Sequence, residues 1–332
     1  ATKFLIYTLA GSVLMLLGGL AVYNQHAVQT GVLTFDILAW QQSLLPVDMQ
    51  FWVFVAFFAG VAVKIPMWPF HTWLPDAHTE APTAGSVILA GVLLKLGTYA
   101  LIRYAVPLAP TASTSFQVVT GMAALSIIAI LYGALVSLVQ KDWKRLVAYS
   151  SVSHMGFCTL GVFAFNQTGL VGSMLQQINH AISTGMLFFL VGMAYDRRHT
   201  REIRDWGGLY RSMPVFTLIF FITVVSSMGF PPLNGFIGEF TVLRGVLQAN
   251  LWWGAAVIAG IVLAAAYLLW LFQRITFGEL SSENRCLPDL TRVELLVCVP
   301  LVILMIAIGV YPSPVLAFLE PAAKSLLQTV GR

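Results

Sequence analysis

An all-α integral membrane protein of about nine transmembrane helices, two of them broken inside the membrane, is predicted by three features. Long apolar windows recur almost without pause, charge is scarce, and prolines sit in the middle of two windows. The 332 residues are 58% hydrophobic and 10% charged, with a mean hydropathy of +0.83. A soluble domain carries roughly a quarter charged residues, so this composition argues against a soluble fold.

A helix needs about 20 apolar residues to cross about 30 Å of hydrocarbon. Windows of that kind lie near 4–23, 49–79, 83–104, 116–139, 144–164, 168–194, 214–248, 251–277 and 293–318. The first is too long for the apolar stretch of a signal peptide and lacks a small-residue cleavage site, so it reads as a span. Two windows are too long for one helix. Pro66, Pro69 and Pro75 interrupt the second, and Pro231 and Pro232, followed by Asn234 and Gly235, interrupt the seventh. Each proline removes a backbone donor, and such breaks are tolerated only where protein or a wet cavity satisfies the freed groups. Paired broken helices are a transporter signature.

The net charge of +4 comes from basic residues in short clusters between apolar stretches, not along one solvated face, so it reports orientation and not nucleic-acid binding. With alternating spans, Lys3, Lys141, Lys144, Arg145, Arg197, Arg198, Arg201, Arg204, Arg211, Arg274, Arg285 and Arg292 share one side. That side is cytoplasmic or matrix-like; the other carries chiefly Arg103, Lys324 and Arg332.

A charged group at mid-membrane depth costs about 2.5–3.5 kcal/mol on insertion scales and is a functional candidate by default. Lys64 precedes the first break, Lys95 lies near the centre of the run Gly85–Ala100 and is its one charged residue, and Glu239 follows the second break. The bland alternative for each is a structural ion pair. Burial disfavours the charged forms of lysine and carboxyl groups, which brings both toward proton exchange at neutral pH. His154 and His180 lie in apolar windows, and an imidazole can accept a proton on one nitrogen and release it from the other. A lone buried histidine is as readily a hydrogen-bonded core residue. Ser151, Ser153, Gln176, Gln177, Asn179, Ser183 and Thr184 are candidates to hold the waters of a proton wire. His71 and His78 are expected nearer the surface, in a spacing that matches no zinc motif.

Cys158 and Cys298 fall in apolar runs and Cys286 in a polar loop, so neither a disulfide framework nor a metal site is expected. No Walker loop, dinucleotide fingerprint, paired-cysteine cluster or nucleophile elbow occurs. The chain itself is expected to bind no nucleotide, flavin, metal or iron–sulfur cluster.

VAVKIPMWPFHTWLPDAHTEAPTAGSVILAGVLLKLGTYALIRY, from Val61 to Tyr104, resembles the antiporter-like subunits of respiratory complex I, an NADH:quinone oxidoreductase. KRLVAYSSVSHMG from Lys144, INHAISTGMLF from Ile178, YDRRHTREIRDWGGL from Tyr195 and GFIGEF from Gly235 are similar to that family in the same order. The resemblance covers nearly the whole chain. It implies an inverted-repeat antiporter-like bundle, with Lys64 as the lysine of the first broken helix, Lys95 as the central lysine and Glu239 as the terminal carboxylate. His154 and His180 match histidines along the connecting axis, and His71, Ser151, Gln176, Asn179 and Thr184 are supporting candidates. Glu239 resembles the chain M, or subunit 4, type, where this position is commonly glutamate and not lysine.

The resemblance also implies amino-terminal helices beyond those here, including one whose glutamate pairs with the Lys64 position. The expected organisation is a translocating core over residues 1–250 and carboxy-terminal helices over 251–332. The expected function is proton translocation driven by electron transfer from NADH to quinone elsewhere in the complex. NAD, FMN, iron–sulfur clusters and quinone belong in partner subunits, and the partners are other membrane subunits, including neighbouring antiporter-like ones, with protons and lipid. The expected location is the bacterial inner membrane, with an organelle inner membrane as alternative. A subunit of a multisubunit sodium/proton antiporter or a membrane-bound hydrogenase is the competing family reading. A non-transporting scaffold is the other rival, and the insertion cost of Lys64, Lys95 and Glu239 argues against it.

Overall fold

The computed structural model describes residues 2–43 and 45–331, so Arg332, assigned above to the less basic side, lies outside the described residues. Among the described residues twelve helices make the frame. They are α1 (Thr2–Thr30), α2 (Val47–Lys64), α3 (Trp73–Glu80), α4 (Thr83–Leu108), α5 (Phe116–Leu138), α6 (Trp143–Phe163), α7 (Gln167–Arg198), α8 (Pro214–Ser227), α9 (Asn234–Ala249), α10 (Leu251–Thr276), α11 (Arg292–Val310) and α12 (Ser313–Val330). Eight are long and apolar enough to cross a membrane: α1, α2, α4, α5, α6, α7, α10 and α11. The pair α8 and α9 supplies the predicted ninth crossing as two half-helices.

Both predicted breaks are present. Helix α2 ends at Lys64, just before Pro66, and the chain turns for eight residues before α3. Helix α8 ends at Ser227, and Pro231 and Pro232 fall in the linker to α9, where their missing N–H groups cost no helical bond. Two boundaries differ from the hydropathy reading. Helix α1 continues through Asn24, Gln25 and His26 to Thr30, because a helix does not stop where its apolar stripe does. The last window divides at Tyr311, since Pro312 and Pro314 cannot extend the ladder of α11.

Side-chain caps set several starts. Ser115, Asp142, Asn166 and Asn250 accept backbone N–H groups of α5, α6, α7 and α10, and Thr291 with Glu294 forms a reciprocal capping box on α11. Asp142 also pairs across a β-bridge with Glu202, while Trp143 N donates to Arg201 O and Ile203 N to Lys141 O. The 141–144 and 199–203 loops therefore meet at one end of the bundle. Lys3 joins that end through Asp76 at 2.8 Å, with Arg145 on the same carboxylate at 3.3 Å. This clustering agrees with one basic face.

Burial is inverted relative to a soluble protein. In α6, 94% of the spanning window is buried and in α7 78%, against 17% in the more apolar α1 and 22% in α11. The helices richest in Ser, Gln, Asn and His occupy the centre, and the purely apolar ones face outward where lipid solvates them. The chain is an integral membrane protein whose polar core is α6 and α7.

Candidate functional site

The polar core holds a contiguous row of titratable side chains. Lys95 comes from α4, whose path is widened by π-helical turns at Leu89–Leu93 and Leu101–Ala105 on either side of it. Such widened turns recur at functional sites because they release backbone groups and re-aim side chains. Lys95 Nζ donates to Ala90 O at 2.5 Å and lies 2.6 Å from His180 Nδ1. The His180 and His154 rings are 5.6 Å apart between centroids. His154 Nδ1 then lies 3.2 Å from Glu239 Oε1; at that distance a small ring rotation completes a hydrogen bond. The row thus runs Lys95, His180, His154, Glu239 across α4, α7, α6 and α9.

Neighbouring groups hold the row in place. Gln176 Nε2 donates to Glu239 Oε1 at 3.2 Å, and its i,i+4 spacing from His180 puts both on one face of α7. Asn179 Nδ2 donates to Asn234 O at 2.7 Å, Asn234 Nδ2 donates to Asn179 Oδ1 at 3.2 Å, and Ser226 Oγ donates to Asn234 Oδ1 at 2.6 Å. Those three bonds tie both sides of the second break to α7 and fix Glu239 beside it. Thr98 donates to Gln177 Oε1 at 2.5 Å, joining α4 to α7 one turn from Lys95. His180 Nε2, Glu239 Oε2 and Gln176 Oε1 are buried without protein partners. Buried polar atoms of this kind are satisfied by ordered water, which is the material of a proton wire.

Of the predicted residues, Lys95, His154, His180, Glu239, Gln176 and Asn179 come together. Thr184 is buried on α7 one turn beyond His180. Ser151 is buried but donates to Val147 O at 3.2 Å within its own helix, off the row. Lys64 stands apart at the end of α2, its Nζ 5.7 Å from the centre of the Phe4 ring. Helix α4 still approaches it closely: a Cβ at Gly97 would lie 3.0 Å from Lys64 Cβ and 2.9 Å from Ile65 N. Gly97 therefore permits Lys64 and Lys95 to sit on adjoining turns. The surface placement of His71 and His78 is corrected. They are 2% and 0% exposed, because α3 folds inward after the break. His71 packs edge-on to Tyr132 at 5.1 Å, off the row. Among the described residues no cluster of three metal-ligating side chains occurs.

Sequence reasoning missed Tyr267, whose hydroxyl lies 3.3 Å from His154 Nε2. It is fully buried in an apolar stretch of α10, and a tyrosine amid Ala and Leu at mid-span was its one available signal. It also missed Ser226 and Asn234, whose roles depend on how the break folds.

Fold and site together define a polytopic membrane protein with a buried row of titratable groups running from α4 to the second broken helix. The profile of the NADH:quinone oxidoreductase/Mrp antiporter transmembrane family matches residues 1–268, and the chain belongs to that family. It is 44% identical over 337 aligned positions to NADH-quinone oxidoreductase subunit M of Rhodobacter capsulatus, spanning 99% of this chain and 65% of that protein. It is 42% identical to NADH-ubiquinone oxidoreductase chain 4 of Chondrus crispus, over 100% of this chain and 66% of that one. Among solved structures, a chain of respiratory complex I from Thermus thermophilus with bound NADH superposes with TM-score 0.91 at 34% identity, covering 99% of this chain and 69% of that chain. A chain of the Mrp complex from Dietzia shares the fold at TM-score 0.80 and 20% identity, covering 99% of this chain and 69% of that one.

Proposed function

We propose that this chain is the proton-translocating region of an antiporter-like membrane subunit of an H⁺-translocating NADH:quinone oxidoreductase. The observation that carries this reading is the 2.6 Å contact of Lys95 with His180, continued through His154 to Glu239. Four exchangeable groups in register allow a proton to move along the row while charge at one end alters proton affinity at the next. No bond other than N–H and O–H is made or broken in this chain. Electron transfer from NADH to quinone, with its FMN and iron–sulfur clusters, takes place in partner subunits. Neighbouring antiporter-like subunits flank the row in the bacterial inner membrane. The similarity to subunit M supports this choice over a sodium/proton antiporter.

Glu239→Gln keeps the shape and the bond from Gln176 but removes titration. In the assembled complex reconstituted into vesicles, proton uptake accompanying NADH oxidation is expected to fall about tenfold or more, and Glu239→Asp to be milder. Normal uptake with Gln would reassign Glu239 to structure.

A further inference from the structure

Most arginines of the basic face lie against carboxylates: Arg145 on Asp76, Arg197 on Glu294, Arg198 on Glu283, Arg201 on Asp142 and Arg204 on Glu202. Among the described residues Arg211 and Arg274 enter no such pair. Each lies over an aromatic ring instead, Arg211 over Tyr210 at 5.3 Å and Arg274 over Trp270 at 4.6 Å from the ring centre. Glu279, the acid nearest to Arg274 in the sequence, pairs with neither.

The two arginines stand on segments fixed to each other. Arg211 belongs to the short helix Leu209–Ser212 that precedes α8, and Arg274 to the last turn of α10. Gly208 N donates to Phe277 O at 3.1 Å, and the Tyr210 and Phe277 rings are 5.8 Å apart. Arg211 Nε donates to Tyr210 Oη at 2.7 Å, which holds the guanidinium at this junction. From Phe277 the rings continue to Phe272 at 5.8 Å and then to Phe221 of α8 at 5.4 Å. An aromatic row therefore descends from the basic face into the membrane between α8 and α10. Its outer side is uncovered, with Leu218, Phe221, Leu269, Trp270 and Phe277 exposed.

A cation in the last turn of a helix can serve only to balance the terminal carbonyls. Arg274 is drawn the other way: its guanidinium lies over Trp270, one turn back from the end of α10 toward the membrane centre. Tryptophan and tyrosine gather at headgroup depth, and a guanidinium there matches a phosphate through paired N–H donors. Two acid-free guanidiniums above an uncovered apolar bank thus fit a molecule with an anionic head and hydrocarbon tails.

We propose that this junction binds an anionic phospholipid of the leaflet on the basic side, with Arg211 and Arg274 holding the headgroup phosphate and an acyl chain lying along Leu218, Phe221 and Leu269. The bound lipid fastens α8, the half-helix that leads into the second break, to α10. The site stands apart from the proton row and does not depend on the translocation reading.

The test uses the assembled complex, stripped of loosely held lipid in detergent and given phosphatidylglycerol whose acyl chain carries a photoactivatable diazirine. Mass spectrometry of the digested subunit should place the label in the 215–221 and 269–277 segments. Each arginine near the surface favours an anionic lipid about fivefold, so unlabelled phosphatidylglycerol should displace the probe at about one-thirtieth the concentration of phosphatidylcholine. The Arg211→Gln, Arg274→Gln double variant should remove that preference, and the double lysine variant should keep part of it. Equal displacement by the two lipids overturns the proposal, as does an undiminished preference in the glutamine variant. Absence of label from both segments also overturns it, and is the result expected if a neighbouring subunit covers this face. Displacement by inorganic phosphate but not by unlabelled phosphatidylglycerol would assign the arginines to a free anion and overturn the lipid. If the variants fail to assemble, the competition between the two lipids in the native complex decides by itself.

Discussion

Lys95→Arg separates a relay from a structural cation. Lys95 Nζ sits 2.6 Å from His180 Nδ1, and a guanidinium placed there cannot release its proton in a protein. At that spacing, with an effective dielectric of about 20, a permanent positive charge opposes an imidazolium by about 6 kcal/mol, roughly a ten-thousandfold reduction in proton occupancy at His180. Proton uptake should fall to background although positive charge is retained. Lys95→Met keeps much of the stem but removes the bonds to Ala90 O and His180, and should fail as well. A structural role makes the opposite prediction for arginine. The assay is proton uptake into vesicles alongside NADH oxidation, with assembly checked on native gels. Full pumping with Lys95→Arg would refute the relay.

Two further outcomes test the frame around the row. Single cysteines in the 141–144 and 199–203 loops should label from the same, basic side, because Trp143 and Ile203 bridge the two loops; labelling from opposite sides would sink the topology. Arg197→Met should destabilise the assembled protein by about 3 kcal/mol, read as a lowered Tm, since Arg197 pairs with Glu294 at 2.7 Å through both guanidinium nitrogens and also holds Pro288 O and Asp289 O. An unchanged Tm would show that solvent already satisfies Glu294.

The amino-acid sequence by itself determined the class of protein, the span count, both breaks and which titratable side chains lie in apolar spans. Each rests on something local: about 20 apolar residues for a crossing, a proline that removes a donor, or a lysine or carboxylate too costly to bury without use. Only the tertiary structure decided which groups meet. Lys95 and His180 are 85 positions apart and Glu239 is 63 from Gln176, so their contacts depend on how four helices pack, which no local pattern encodes. The same packing buried His78, which hydropathy placed near the surface, and brought Tyr267 to His154. It left Ser151 bonded within its own helix. Periodicity shows which residues a helix can offer its neighbours; helix crossing and the fold of each break select the ones that touch.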